Sequence, residues 1–450
     1  MLEPDILISN AVVITMDKGR RVLWDGAIAL RDGLIIEVGE TNTLHTKYPQ
    51  VEERIDASGK LLLPGYINAH THIAMALFRG LYTGNPSSIY SVMFPIEESL
   101  EPEDVYYLGL LGAIECLKGG ATCIVDHYYF IEEIARAIET VGIRAVLGHT
   151  IADRLAPFSG EAEKEKAIQF VHKWRKRNPR ITPALAPHSP ETVSAKSLSE
   201  LKQISDEQDV LLHIHLAQSP QEVAYLEETH KKTPVEFLDS IGFLGRNVLA
   251  AHGVFLTDAD INRLRSSEVS VVFCPTSQVS YLYNKVTPVP ELLAKGVNVV
   301  LGTDTAAGTG NMNILEEPRI AATVQLFRSG NQGQLSPEKL LEMVTVDAAA
   351  ALKLQDKIGS LEPGKRADII LIDLQNAELA PVNNIYATAI HGITAPYIDR
   401  IIIEGKVVLS KGTVVGLNEE DLVKKAAEIR TAVLRKTMDR HPKLSNSLYS

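Results

Sequence analysis

From about residue 65 the chain repeats one pattern, a short apolar run followed by a longer stretch with helical spacing. ATCIVDHY, IRAVLGHT, ITPALAPHS, DVLLHIHLAQ, NVLAAHG, VSVVFCPTS and VNVVLGTD each read as a buried parallel strand. Stretches between them, such as EEIARAIETVG and KSLSELKQISDEQ, read as surface helices. With the opening strand before His70 the runs number eight, the count a closed (β/α)8 barrel needs. That count favours a barrel over an open, doubly wound sheet.

The flanks have a different character. DILISNAVVITM, WDGAIALRDGLIIEVG and RIDASGKLLLPG are short β-rich runs separated by DG and SG turns. IGSLEPGKRADIILID and IDRIIIEGKVVLSKGTVV repeat that character near the other end. Either group alone would leave an apolar face exposed, so the two are expected to pair in one small β-sandwich domain. The expected organisation is 1–64 for the first part of that domain, 65–356 for the barrel, and 357–450 for the second part plus a charged helix from Glu419. HPKLSNSLYS is expected to be a loosely held tail.

Composition narrows the partners. The 450 residues carry a formal net charge of -11, so nothing pulls the protein toward phosphate backbones or anionic lipid, and neither nucleic acid nor membrane is expected. Cys116, Cys123 and Cys274 are too few for a disulfide framework. The N-terminal stretch lacks the basic region and long apolar core of a signal peptide, and no apolar run is long enough to span a bilayer. A cytoplasmic protein is expected.

Chemistry concentrates at the ends of the apolar runs. His70 and His72 are two apart on an extended segment and project to one side. His215 closes LLHIH, His252 closes VLAAH and Asp304 closes VVLGTD. In a β/α barrel the C-terminal strand ends converge on one mouth, so these residues can meet around an ion. Imidazole nitrogens and a carboxylate oxygen suit zinc or ferrous iron. His213 shares a strand face with His215 and is open to two readings, support for the ion's ligands or a core histidine.

PGYINAHTH, HIHLAQ, AAHG, VVFCPTSQ, LGTDTAA and LEPGKRADIILID together resemble the amidohydrolase superfamily, in its branch of aromatic-base deaminases and triazine hydrolases. The resemblance covers nearly the whole chain. It implies a divalent ion, zinc or iron, on His70, His72, His215 and Asp304, with His252 beside the attacking water and Asp304 accepting its proton. It also implies a small heterocyclic substrate and a homo-oligomer. Softer candidates for the substrate pocket are His188, His127 with Tyr128 or Tyr129, Arg79 and Arg154. Glu316 and Glu317 read as charges at a helix N-terminus rather than as catalysts.

Two departures stand out. The branch carries a glutamate three residues after the third histidine, where this chain has Gln218, a carboxamide that cannot store a proton near neutral pH. Either another acid (Glu222, Glu227 or Asp304) substitutes, or the leaving group needs less help, or the protein turns over weakly. The HCPxSN pattern is also altered, with Phe273 and Gln278 at its first and last positions, so both join the pocket candidates. The expected function is a C–N hydrolase, foremost a deaminase of a nucleobase, adenosine derivative, pterin or triazine. The alternatives are an amidase, lactamase or dehalogenating hydrolase using Asp304 alone, and a metal-bearing binding relative.

Overall fold

The computed structural model describes residues 3–81, 89–154, 158, 160–280, 284–330 and 335–444. Five strands come first: β1 (Ile6–Ile14), β2 (Val22–Arg31), β3 (Leu34–Glu40), β4 (Glu53–Asp56) and β5 (Lys60–Pro64). The eight apolar runs follow as β6 (Tyr66–Thr71), β7 (Ala121–Tyr128), β8 (Arg144–Ile151), β9 (Ile181–Pro187), β10 (Leu212–Leu216), β11 (Val248–His252), β12 (Ser270–Phe273) and β13 (Asn298–Leu301). Near the other end lie β14 (Ile369–Asp373), β15 (Ile398–Ile403), β16 (Lys406–Ser410) and β17 (Thr413–Val414).

Strands β6 to β13 pair in parallel in chain order. The ring is joined just beyond β13, where the Asp304 N–H donates to the His70 carbonyl at 2.9 Å and Thr71 bridges Asp304. Gly302 permits this approach, since a Cβ there would stand 2.8 Å from the His70 nitrogen. Alternate strand residues divide the barrel's apolar content. Val125, Val146, Leu249, Ala251, Val272 and Val300 gather in one cluster. Their neighbours Ile124, Leu147, Ile214, Ala250, Val271 and Val299 join the larger core with covering helices such as Ile131–Val141. These runs read as continuously apolar because both faces of each strand are buried.

The two chain ends meet in one mixed nine-stranded sheet, with β5 antiparallel to β14 and Leu63 opposite Ile370. An ionic joint ties this sheet to the barrel. Arg144, at the start of β8, donates from Nε to Asp368 at 2.8 Å and from Nη2 to Glu404 at 3.3 Å. The charged helix from Glu419 forms as Glu419–Arg440, capped by the Asn418 side chain. Of the expected loose tail, residues 445–450 lie outside the described residues. No helix among the described residues is long and apolar enough to cross a membrane.

Candidate metal centre and cavity

The strand ends that meet at the barrel mouth are held in unusual backbone. His252 has φ 82°, Asp304 φ 64° and Ala217 φ 50°, all in the left-handed region. Such conformations persist in non-glycine residues only where the surroundings enforce them. Here the Asn68 side chain accepts from the Thr303 N–H at 3.0 Å and donates to its hydroxyl at 2.8 Å. Buried Asp126 accepts from the Ile73 N–H at 2.6 Å and the Thr71 hydroxyl at 3.0 Å, fixing the backbone on both sides of His72.

The ring nitrogens follow from these contacts. His72 Nδ1 donates to the His127 carbonyl at 2.9 Å and His215 Nδ1 to the His188 carbonyl at 2.8 Å. Each Nε2 therefore carries a lone pair, and the two Nε2 atoms face each other 3.2 Å apart. His70 Nε2 is buried without a hydrogen-bond partner. Asp304 Oδ1 lies 3.7 Å from His70 Nε2 and 3.6 Å from His72 Nε2, while its Oδ2 accepts from the Ser277 hydroxyl at 2.5 Å. Burial pushes His70 and His215 well below the ordinary imidazole range, so protons do not neutralise the cluster. Converging lone pairs, an orphaned nitrogen and a carboxylate oxygen fit a divalent cation with nitrogen and oxygen ligands.

The donor atoms of His70, His72, His127 and His215 lie within 4.8 Å of one another, as do those of His70, His252 and Asp304. His127 thus stands among the metal-site rings, with Nε2 3.4 Å from His215 Nε2, as well as facing the cavity. His252 stacks on His215 with ring centroids 5.4 Å apart. His213 accounts for the remaining His70 nitrogen, its Nε2 lying 2.9 Å from His70 Nδ1. Because His70 Nε2 faces the cluster as a lone pair, Nδ1 holds the proton and His213 accepts it.

Above the cluster opens a cavity with about 970 Å³ of empty space, the mouth included. His188, Gln218, Gln278, Tyr128 and Tyr129 line it. Gln278 also donates to Thr287, so one side of its amide is tied to the wall. Three pocket candidates lie elsewhere. Arg79 pairs with Glu115 at 2.5 Å and Arg154 stacks over the Tyr225 ring at 5.0 Å, neither of them lining the cavity. Phe273 is fully buried in the core shared with the helices, because its place in β12 turns it away from the mouth.

The substitute acids fare similarly. Glu222 accepts from the Ala217 and Gln218 backbone N–H groups at 2.8 and 2.7 Å, which makes it a brace for the loop after β10. Glu227 is exposed on the helix Pro220–His230. Glu316 and Glu317 stand at the N-terminus of Glu317–Ser329, but Glu317 is buried there and pushed up to about 8, so it is not the solvated helix charge its sequence suggests. Among the described residues, the carboxylates that do line the cavity are Asp304 and Glu97. Glu97 was not singled out from sequence. It ends the short helix Phe94–Glu97, accepts from the Tyr128 hydroxyl at 2.7 Å and is pushed up to about 8 by burial.

An eight-stranded parallel barrel with a histidine–aspartate cluster at its C-terminal mouth defines a class of metal-centred hydrolase scaffold. The chain belongs to the amidohydrolase family, whose pattern matches residues 61–408. It is 36% identical over 425 residues to a 5'-deoxyadenosine deaminase of Methanosarcina acetivorans, covering 94% of this chain and 96% of that protein. A 5-methylthioadenosine/S-adenosylhomocysteine deaminase of Aquifex aeolicus is 35% identical, with 96% and 98% covered. Among solved structures, an adenosine deaminase from Xanthomonas campestris with bound zinc superposes with a TM-score of 0.92 at 29% identity, covering 97% of this chain and 100% of that one.

Proposed function

We propose that the protein is a metal-dependent aminohydrolase that removes the amino group of adenine nucleosides, with one divalent ion held by His70, His72, His215 and Asp304. The observation that carries this reading is the set of unprotonated imidazole nitrogens and one carboxylate oxygen facing a single point. The deaminases at 36% and 35% identity, and the zinc in the Xanthomonas campestris adenosine deaminase, support it and favour zinc over iron. A divalent cation supplies Lewis acidity and makes water a nucleophile near neutral pH.

The chain's own groups then divide the work. Asp304 holds and passes the proton, with Oδ2 steadied by Ser277. His252, stacked on His215, orients the attacking water. Gln218 offers an amide hydrogen bond to a ring nitrogen but has no proton to transfer near neutral pH, so protonation of the leaving amine falls to Asp304. His188, His127 and Gln278 bound the heterocycle, and the assembly is a homo-oligomer, testable by light scattering.

Protein of measured metal content should release ammonia from 5'-deoxyadenosine and methylthioadenosine. Failure of the metal-loaded protein on every adenine nucleoside would sink the reading. Gln218 favours one rival, a hydrolase with Asp304 as its only shuttle acting on amides or halogenated rings. Chloride release from 6-chloropurine riboside much faster than ammonia release from the amino analogue would support that rival.

A further inference from the structure

We propose that the cavity selects heterocycles bearing an uncharged substituent and rejects those bearing a carboxylate or a phosphate. The inference rests on the deaminase reading and narrows its substrate class. Among the described residues no lysine or arginine lines the cavity. The two arginines that sequence placed near the pocket are committed elsewhere, Arg79 to Glu115 and Arg154 to the Tyr225 face.

What the wall does offer is apolar or neutral. Met75, Met93 and Phe94 supply thioether and aromatic surface, and Gln218 and Gln221 supply carboxamides. Glu97 faces the same space, held by burial as a neutral acid around pH 7, and on ionising it would repel an anion. The cation implied at the histidine cluster serves the reacting end of the heterocycle. An anionic substituent would lose its hydration without a partner, a loss that amide and hydroxyl groups avoid through the hydrogen bonds available here.

The cleanest probe is an isosteric pair, adenosine 5'-carboxamide and adenosine 5'-carboxylate, assayed at pH 7 with metal-loaded protein. The carboxylate should show kcat/KM at least about 100-fold lower. Gln221→Arg, at an exposed position of the lining, should move the ratio at least about tenfold toward the carboxylate. Turnover of the carboxylate within about threefold of the carboxamide overturns the selectivity. If neither compound is hydrolysed, nor any other adenine nucleoside, the deaminase reading fails and selectivity is read from binding. Calorimetric Kd values should then differ by the same ratio, whereas equal affinities, or no binding of the carboxamide, overturn the proposal.

Discussion

Arg144 and His70 are both buried polar side chains on barrel strands, yet their surroundings are opposite. At the start of β8, Arg144 meets both oxygens of Asp368, Glu404 and the Pro179 carbonyl, so its donors are satisfied by the chain itself. At the end of β6, His70 has one nitrogen on His213 and the other on nothing. Saturation marks a group that holds the structure together, whereas an orphaned lone pair in a dry cluster marks a place for a ligand. The division follows the barrel's polarity, with stability at the end where strands begin and chemistry at the end where they finish.

The largest effect should come from the unsaturated end. Asp304→Asn keeps the shape and, through its amide oxygen, the Ser277 contact but removes the carboxylate that takes up the proton, and kcat should fall on the order of 10⁴-fold. The thermal midpoint of the metal-free variant should barely move. The saturated end should behave in reverse. Arg144→Met strands buried Asp368 without its cation, Glu404 keeping Arg366 at 3.6 Å, and should cost about 3 kcal/mol of stability, read by urea unfolding. Its kcat/KM at a temperature where it is folded should stay within about threefold of the parent. Loss of turnover in Arg144→Met with an unchanged urea midpoint would break the comparison.

Much of the unsaturated end was legible in sequence. Buried parallel strands read as unbroken apolar runs, and barrel topology then brings His70, His72, His215, His252 and Asp304 to one mouth without further information. What stayed illegible depended on side-chain direction. Arg79 and Arg154 lie close to site motifs along the chain and still turn to Glu115 and Tyr225. Glu222 looked like a spare acid four residues after Gln218, but its place in the first helical turn aims it at backbone N–H groups. Glu97 sits on a helix of four residues with no periodicity to mark it, and only its burial beside Tyr128 gives it away.

His213 sharpens the comparison, because it is the one satisfied side of an otherwise orphaned residue. His213→Phe fills the space but removes the acceptor for the His70 Nδ1 proton, so the His70 tautomer is no longer fixed. Zinc affinity, measured by competition with a chelator, should weaken about 10- to 100-fold. His213→Gln, which restores an acceptor, should recover part of it. Unchanged affinity in the phenylalanine variant would make His213 a core residue only.

Glu97 tests whether saturation can be switched by pH, and its effect should be the smallest. Its carboxyl accepts one hydrogen bond, from Tyr128, and burial raises it from 4.5 to about 8. Between those values the unfolded chain has released the proton while the folded protein keeps it. The folded state thus binds more protons, and stability must fall as pH rises through this window. The stabilising contribution is complete below about pH 4.5 and gone above about 8, with a slope of about 1.4 kcal/mol per pH unit at most. Glu97→Gln keeps the acceptor for Tyr128 and never ionises, so its urea stability should decline less steeply between pH 5 and 8. Some slope should survive in the variant, because burial raises Glu317 to about 8 as well. Parallel stability curves for the two proteins would mean that Glu97 titrates as an ordinary carboxyl, and that the cavity reaches water more freely than its contacts with Tyr128 imply.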